Sequence, residues 1–351
     1  MFRPVKKVSL TYLLILFLLV SCGTGSNKDL SGGNSWSLST VDGKPAVTVA
    51  VDTMDIRNPF ILFEHKSNMY YMVGDGGGMW MSKDLHTWNG PFNVLQQDTA
   101  SWIGPAPEIS SPEIHRYGNR YYYMATFERN DVHVNGYDGK PFKRRSCTVL
   151  VADSIKGPYR TIDSNSDLLD IHEMAAHPTF CTDDLDVGYM IYNNMAEQNG
   201  NGTVQIVRFT ENLGRRMGEA YVMFTASQNP WSGKSSGDNK GFSPDMEAPF
   251  LFVTEGGELG ILFTTYIGEE KAIGVAYSEK GHGLNGPWKI EPEPLMKDGI
   301  GGAMMFNDYD GTLVMVAGKD TVIDGTEKCV PKLMKMDSQF DKLQLKGYYK
   351  F

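Results

Sequence analysis

Apolar residues in this chain fall in short runs of about four to eight, rich in Tyr, Phe, Met and Val, and polar turns separate them. Long amphipathic helical patterns are absent. The runs recur as one unit. Asn58-Pro59-Phe60-Ile61-Leu62 is followed by a turn, Glu64 to Asn68, and by Met69-Tyr70-Tyr71-Met72-Val73. Ser111-Pro112-Glu113-Ile114-His115 opens a second copy and leads to Tyr121-Tyr122-Tyr123-Met124-Ala125. His177-Pro178-Thr179-Phe180-Cys181 opens a third, Ala248-Pro249-Phe250-Leu251-Phe252 a fourth, and Gly302-Ala303-Met304-Met305-Phe306 a weaker fifth. Later in the units Gly90-Pro91, Gly157-Pro158 and Gly286-Pro287 repeat as well. Each unit reads as about four short strands, with proline at a strand start, where its missing N–H is tolerated. Five such sheets set radially predict an all-β fold, a five-bladed β-propeller spanning residues 46–351 as a single domain. A β-sandwich shares the short strands but not the repeated unit. In a propeller the first strand of each blade lines the central channel. Asn58, Ser111 or Glu113, His177, Glu247 and Gly301 to Ala303 are therefore expected around one axis.

Residues 1–21 have another pattern. Arg3, Lys6 and Lys7 precede an apolar run, Leu13 to Val20, which ends in Leu19-Val20-Ser21-Cys22. The run falls short of the ~20 residues that a membrane span needs, and reads as a signal peptide whose cleavage leaves a lipidated Cys22 at the N-terminus. Residues 22–45, rich in Gly, Ser and Asn at first, read as a tether. The expectation is a lipid-anchored protein of the bacterial cell envelope, on the outer membrane or facing the periplasm, touching the membrane through its anchor only.

Composition narrows the partners. A net charge of −9 argues against nucleic acid and other anionic polymers. Cys147, Cys181 and Cys329 lack metal-ligand spacing and read as free buried thiols. No cofactor or metal is expected, and the protein is expected to be a monomer.

Ile56-Arg57-Asn58-Pro59-Phe60-Ile61, Ser111-Pro112-Glu113-Ile114-His115, Val149-Leu150-Val151-Ala152-Asp153-Ser154 and Glu247-Ala248-Pro249-Phe250-Leu251-Phe252 together carry a family resemblance. Over roughly residues 52–320 the chain resembles the propeller glycosidases of glycoside hydrolase family 43. The resemblance implies inverting hydrolysis of arabinofuranosides, xylosides or some galactosides. In that scheme one carboxylic acid protonates the leaving oxygen while a carboxylate on the other face activates water. Position by position it makes Glu247 the acid. The base position holds Asn58, the position of the aspartate that tunes the acid holds His177, and an axial histidine of the fifth blade is replaced, at Ala303. An amide oxygen is far too weak a base to deprotonate water. A cationic His177 would depress the pKa of Glu247.

Other carboxylates of the repeat are candidates for these roles. Glu113 is the leading candidate for an unusual base, with a structural or binding role as its alternative; Glu173 is a second candidate, from a loop. Asp245 would supply the negative neighbour that His177 does not. Asp75, inside Gly74-Asp75-Gly76-Gly77-Gly78, counts among the substrate-binding candidates, with Trp102 and Trp231, whose rings suit sugar faces equally with packing. Asp55 reads as a turn or N-terminal contact. His172 and His177, five residues apart, would lie about 140° apart around a helix and do not make a zinc motif. Asp183-Asp184-Leu185-Asp186 reads as a hairpin turn rather than a calcium loop. The function expected is a glycoside hydrolase with a non-standard base, acting on arabinose-, xylose- or galactose-containing side chains. A glycan-binding propeller without catalysis is the alternative, and a purely structural propeller, marked by a plugged channel, the third.

Overall fold

Strands in the middle of each unit are apolar on both faces, so each sheet must be covered on both sides. Tyr121 to Phe127 and Leu259 to Thr265 are buried without a break. A radial stack satisfies this demand, because each sheet is sandwiched between two others. The computed structural model describes residues 38–96, 98–162, 168–232, 245–338 and 341–351. The leader and Cys22 lie outside the described residues. Five antiparallel sheets follow one another along the chain. The first holds Phe60–Glu64, Met69–Val73, Met79–Ser82 and Thr87–Asn93, with Ser39–Thr40 and Val47–Ala50 paired on its last strand. The second runs Glu108–Tyr117, Arg120–Asn135, Pro141–Ala152 and Arg160–Thr161; the third Ala175–Thr182, Gly188–Asn194, Thr203–Phe209 and Arg216–Thr225. The fourth is Glu247–Val253, Leu259–Ile267, Glu270–Ser278 and Trp288–Ile290, and the fifth Ile300–Asn307, Leu313–Ile323, Thr326–Asp337 and Gln344–Tyr348.

The first strand of each sheet contacts the first strand of the next, and the fifth contacts the first. This closed ring of inner strands makes the fold the five-bladed propeller that the repeat predicts. At the seam the Ile56 N–H donates to the Cys329 carbonyl at 2.7 Å, and Asp55 Oδ1 accepts the Cys329 N–H at 2.9 Å. Asp55 is thus an N-terminal contact. Apolar clusters fill the spaces between blades. Tyr123 packs on Tyr159 between the first two, with ring centroids 5.5 Å apart, and Phe224 lies against Phe263 and Trp288 between the third and fourth. Burying each such side chain is worth about 1.5–3 kcal/mol, and the clusters lock the blades to one another. Cys147, Cys181 and Cys329 are buried and free. Asp183 closes a hairpin, its Oδ1 accepting the N–H groups of Leu185 and Val187.

One backbone feature positions the site. The residue before each repeated proline has positive φ: Asn58 at 50°, Ser111 at 47°, His177 at 53° and Ala248 at 47°. Gly302, at 63°, takes the same place in the fifth blade. The ladder skips there, between Ser110 and Glu113, Ala176 and Thr179, Glu247 and Phe250, and Gly301 and Met304. Such residues are bulges, and a bulge changes which face the following side chains use.

Candidate active site

The five positive-φ residues Asn58, Ser111, His177, Ala248 and Gly302 stand in one ring around the axis. Beyond the ring, toward Phe60, Phe250 and Met304, the channel narrows to about 20 Å³, room for no more than a water. On the other side a groove of about 590 Å³ opens, lined by Asp75, Glu108, Ser110, Glu128, Arg145 and His177 among others. The waist is closed but the groove is not, so the sign of a purely structural propeller is present only beneath the site.

Glu247 opens the inner strand of the fourth blade and is half-buried. Burial pushes its carboxyl up to about 7, and the charge of Asp245 adds to this, while Lys271, Arg57 and a hydrogen bond from Tyr266 act in the opposite direction. Asp245 itself is raised to about 6, first by burial, against the Ala196 N–H that its Oδ1 accepts at 2.5 Å. At neutral pH a proton is thus available on Glu247, and the negative neighbour that helps to hold it there is Asp245. Lys271 lies 2.7 Å from Asp320, and Arg57 3.7 Å from the same carboxylate. These cations sit close enough to oppose the shift of Glu247 without cancelling it.

His177 differs from the sequence expectation. Desolvation in the groove wall, with the Arg145 guanidinium nearby, lowers its pKa to about 4. Its imidazole is neutral at pH 7 and does not depress Glu247. His177 Nδ1 shares a 2.6 Å hydrogen bond with Ser111 Oγ, and its backbone N–H donates to Thr126 Oγ1 at 2.8 Å. Arg145 is paired with Glu128 and also donates to Met195 Sδ at 2.6 Å.

Glu113 is not brought to the groove. The bulge at Ser111 turns it inward, where it is 8% exposed and 2.6 Å from His115 Nε2. His115 in turn packs on Phe60 and Phe180. Glu173 is likewise held inside, by the Tyr192 hydroxyl at 3.2 Å and Asn194 Nδ2 at 3.0 Å. Neither proposed tryptophan lines the groove. Trp231 stacks on Phe263 at an interplanar angle of 10° and donates to the Glu291 carbonyl. The ring of Trp102 carries the Arg144 guanidinium 4.9 Å from its centroid. Both pack rather than present a face to a sugar in the groove.

Asn58 and Asp75 are joined. Asn58 Nδ2 donates to Asp75 Oδ1 at 3.0 Å, and the Ser111 N–H donates to the same oxygen at 2.8 Å. Burial raises the Asp75 carboxyl; the two donors and the nearby Arg57 and Lys271 oppose this. Gly302 makes room for the arrangement, since a Cβ there would lie 2.4 Å from Asn58 Oδ1. With a positive φ as well, Gly302→Ala is expected to cost about 1–2 kcal/mol. At about 2–4 °C per kcal/mol, a calorimetric midpoint unchanged by Gly302→Ala would contradict this packing. Lys271, Tyr266 and Arg145 carry no motif in the sequence; only their blade neighbours mark them.

Comparison with known proteins places this geometry. Residues 51–317 match the family model described as glycosyl hydrolases family 43. Among solved structures, an endo-arabinase from Bacteroides thetaiotaomicron aligns over 90% of this chain and 100% of its own, at 24% identity and a TM-score of 0.70. An endo-1,4-beta-xylanase from the same organism covers 84% of this chain and 95% of its own, at 17% identity and a TM-score of 0.63. An alpha-L-arabinofuranosidase from Lactobacillus brevis covers 84% and 96%, at 13% identity and a TM-score of 0.63. At these identities the structures establish the shared fold. No curated protein matches the sequence significantly.

Proposed function

The chain belongs to glycosyl hydrolase family 43, and from that premise we propose that it is a glycosidase in which Glu247 is the proton donor. One observation carries the reading: the carboxyl at the family's acid position is raised to about 7, with Asp245 as its negative neighbour. A group used as an acid near neutral pH must be held protonated there. The substrate is an arabinose-, xylose- or galactose-containing side chain of a plant or microbial polysaccharide. The family supports this range, as does a groove of about 590 Å³, ample for a few sugar rings. Asn58 at the base position favours a second reading, a propeller that binds glycans for a polysaccharide-utilisation system without cleaving them.

Oligosaccharides of arabinan, xylan and arabinogalactan, offered to protein beginning after Cys22, separate the two. Release of sugar that disappears in Glu247→Gln supports the hydrolase. Binding by both proteins with no release from either supports the second reading.

The leader of the sequence supports a further part of the proposal, attachment to the cell envelope through a lipid on Cys22. Cys22→Ala is expected to move the protein from the membrane to the soluble fraction of cells. A protein that fractionates as before would remove the anchor from this account.

A further inference from the structure

The family's base position carries an amide, yet a carboxylate lies beside it. Asp75 Oδ1 takes both hydrogen bonds, from Asn58 Nδ2 and from the Ser111 N–H. Among the described residues no hydrogen bond reaches Oδ2, and the residue lines the groove. We propose that Asp75 is the general base of this site, displaced from the usual position and held in place by Asn58. The inference rests on the glycosidase reading above and supplies the carboxylate which that reading lacks.

Three features support it besides the hydrogen bonds. First, the backbone at Asp75 is built to press against the base position. The Asp75 N–H donates to the Arg57 carbonyl at 3.0 Å, and the Gly76 N–H to the Ile109 carbonyl at 2.9 Å. A Cβ on Gly74 would meet Ile56 Cγ2 at 2.3 Å and the Arg57 carbonyl at 2.8 Å, so only glycine permits this approach. Second, Asn58 can turn its amide as it does because Gly302 has no side chain to oppose it. Asparagine at 58, glycine at 302 and glycine at 74 thus belong to one arrangement. Third, Asp75 and Glu247 lie in the field of the same two cations, Arg57 and Lys271, although they belong to the first and fourth blades, which are not neighbours in the ring. The two carboxyls are thus near one pair of cations, at the same end of the ring of inner strands.

The chemistry then closes. Water's oxygen bonds to the anomeric carbon as its proton passes to Asp75 Oδ2. The bond from that carbon to the leaving oxygen breaks, and the leaving oxygen takes the proton of Glu247. Solvent afterwards returns one proton to Glu247 and removes one from Asp75. Burial makes Asp75 a stronger base than an exposed aspartate, while its two N–H donors favour the ionised form against that rise. Asn58 does not touch the reacting atoms; it is a positioning residue.

The test compares single and exchanged variants on two substrates, an oligosaccharide and an aryl glycoside whose leaving group needs no proton. Asp75→Asn is expected to lower kcat about 10²–10⁴-fold on both substrates, with KM changed little. Glu247→Gln is expected to lose activity on the oligosaccharide and to keep most of it on the aryl glycoside. The exchange Asn58→Asp with Asp75→Asn rebuilds an amide–carboxylate pair with the carboxylate at 58. It is expected to recover at least tenfold over Asp75→Asn alone, which a merely structural role for Asp75 would not produce. Release that survives Asp75→Asn but not Glu247→Gln would overturn the assignment and leave the glycosidase standing. A rise in KM at constant kcat would make Asp75 a substrate contact and overturn it too. A wild-type protein that cleaves neither substrate would overturn both readings.

Discussion

Glu247→Gln is expected to lower the turnover of oligosaccharides by about 10²–10⁴-fold, the usual worth of a positioned proton donor. The same substitution should stabilise the fold at alkaline pH. A carboxyl whose folded pKa lies above its unfolded value contributes stability below the unfolded value and loses it as pH rises through the folded one. For Glu247 that window runs from its ordinary 4.5 to about 7. Glutamine has no charge to bury, so the thermal midpoint of the variant should exceed that of the wild type more at pH 8 than at pH 4. Loss of activity together with gain of stability would mark Glu247 as a group kept for chemistry at a cost to the fold. Equal midpoints at both pH values would show that its carboxyl is not shifted.

Asp245→Asn should act on the pH dependence of the reaction. Its side chain can still accept the Ala196 N–H, so the local geometry is kept, while the charge that helps to raise Glu247 is gone. The pKa of Glu247 falls, and the alkaline limb of the kcat profile moves to lower pH. On that limb the protonated fraction drops about tenfold for each pH unit of displacement. Activity well below the limb should be nearly unchanged. A limb that stays in place would mean that burial alone sets the acid, and that Asp245 has no part in tuning it.

Much of the fold could be read from the sequence because one unit is written five times. A proline after a positive-φ residue, then an apolar strand, then a polar turn marks four of the five inner strands, and Gly302-Ala303 takes the same place in the fifth; the ring of Asn58, Ser111, His177, Ala248 and Gly302 follows from it. Glu247 was legible for the same reason, since Glu-Ala-Pro stands at the fourth opening. The placement of the other carboxylates was not legible. Glu113 is two residues past a positive-φ serine, and simple strand alternation fails across such a bulge. The bulge directs that carboxylate to His115 and away from the groove. Asp75 lies in a glycine run whose path depends on contacts with Arg57 and Ile109, and nothing in local periodicity reveals those. The charge state of His177 likewise depends on burial, which residue type alone does not show. For the tryptophans near blade openings the sequence left packing and sugar contact equally open; Trp231 fits against Phe263, where Gly274 leaves space for both rings.

The proposed site keeps the acid at Glu247 and takes its tuning charge from Asp245. The claim stands or falls on the proton of Glu247. Its titration is observable in the carboxyl carbon resonance, identified as the signal that vanishes in Glu247→Gln. The account predicts a midpoint at about 7, coincident with the alkaline limb of sugar release. A midpoint near the ordinary value of 4.5 would leave Glu247 ionised at neutral pH and contradict its role as the proton donor.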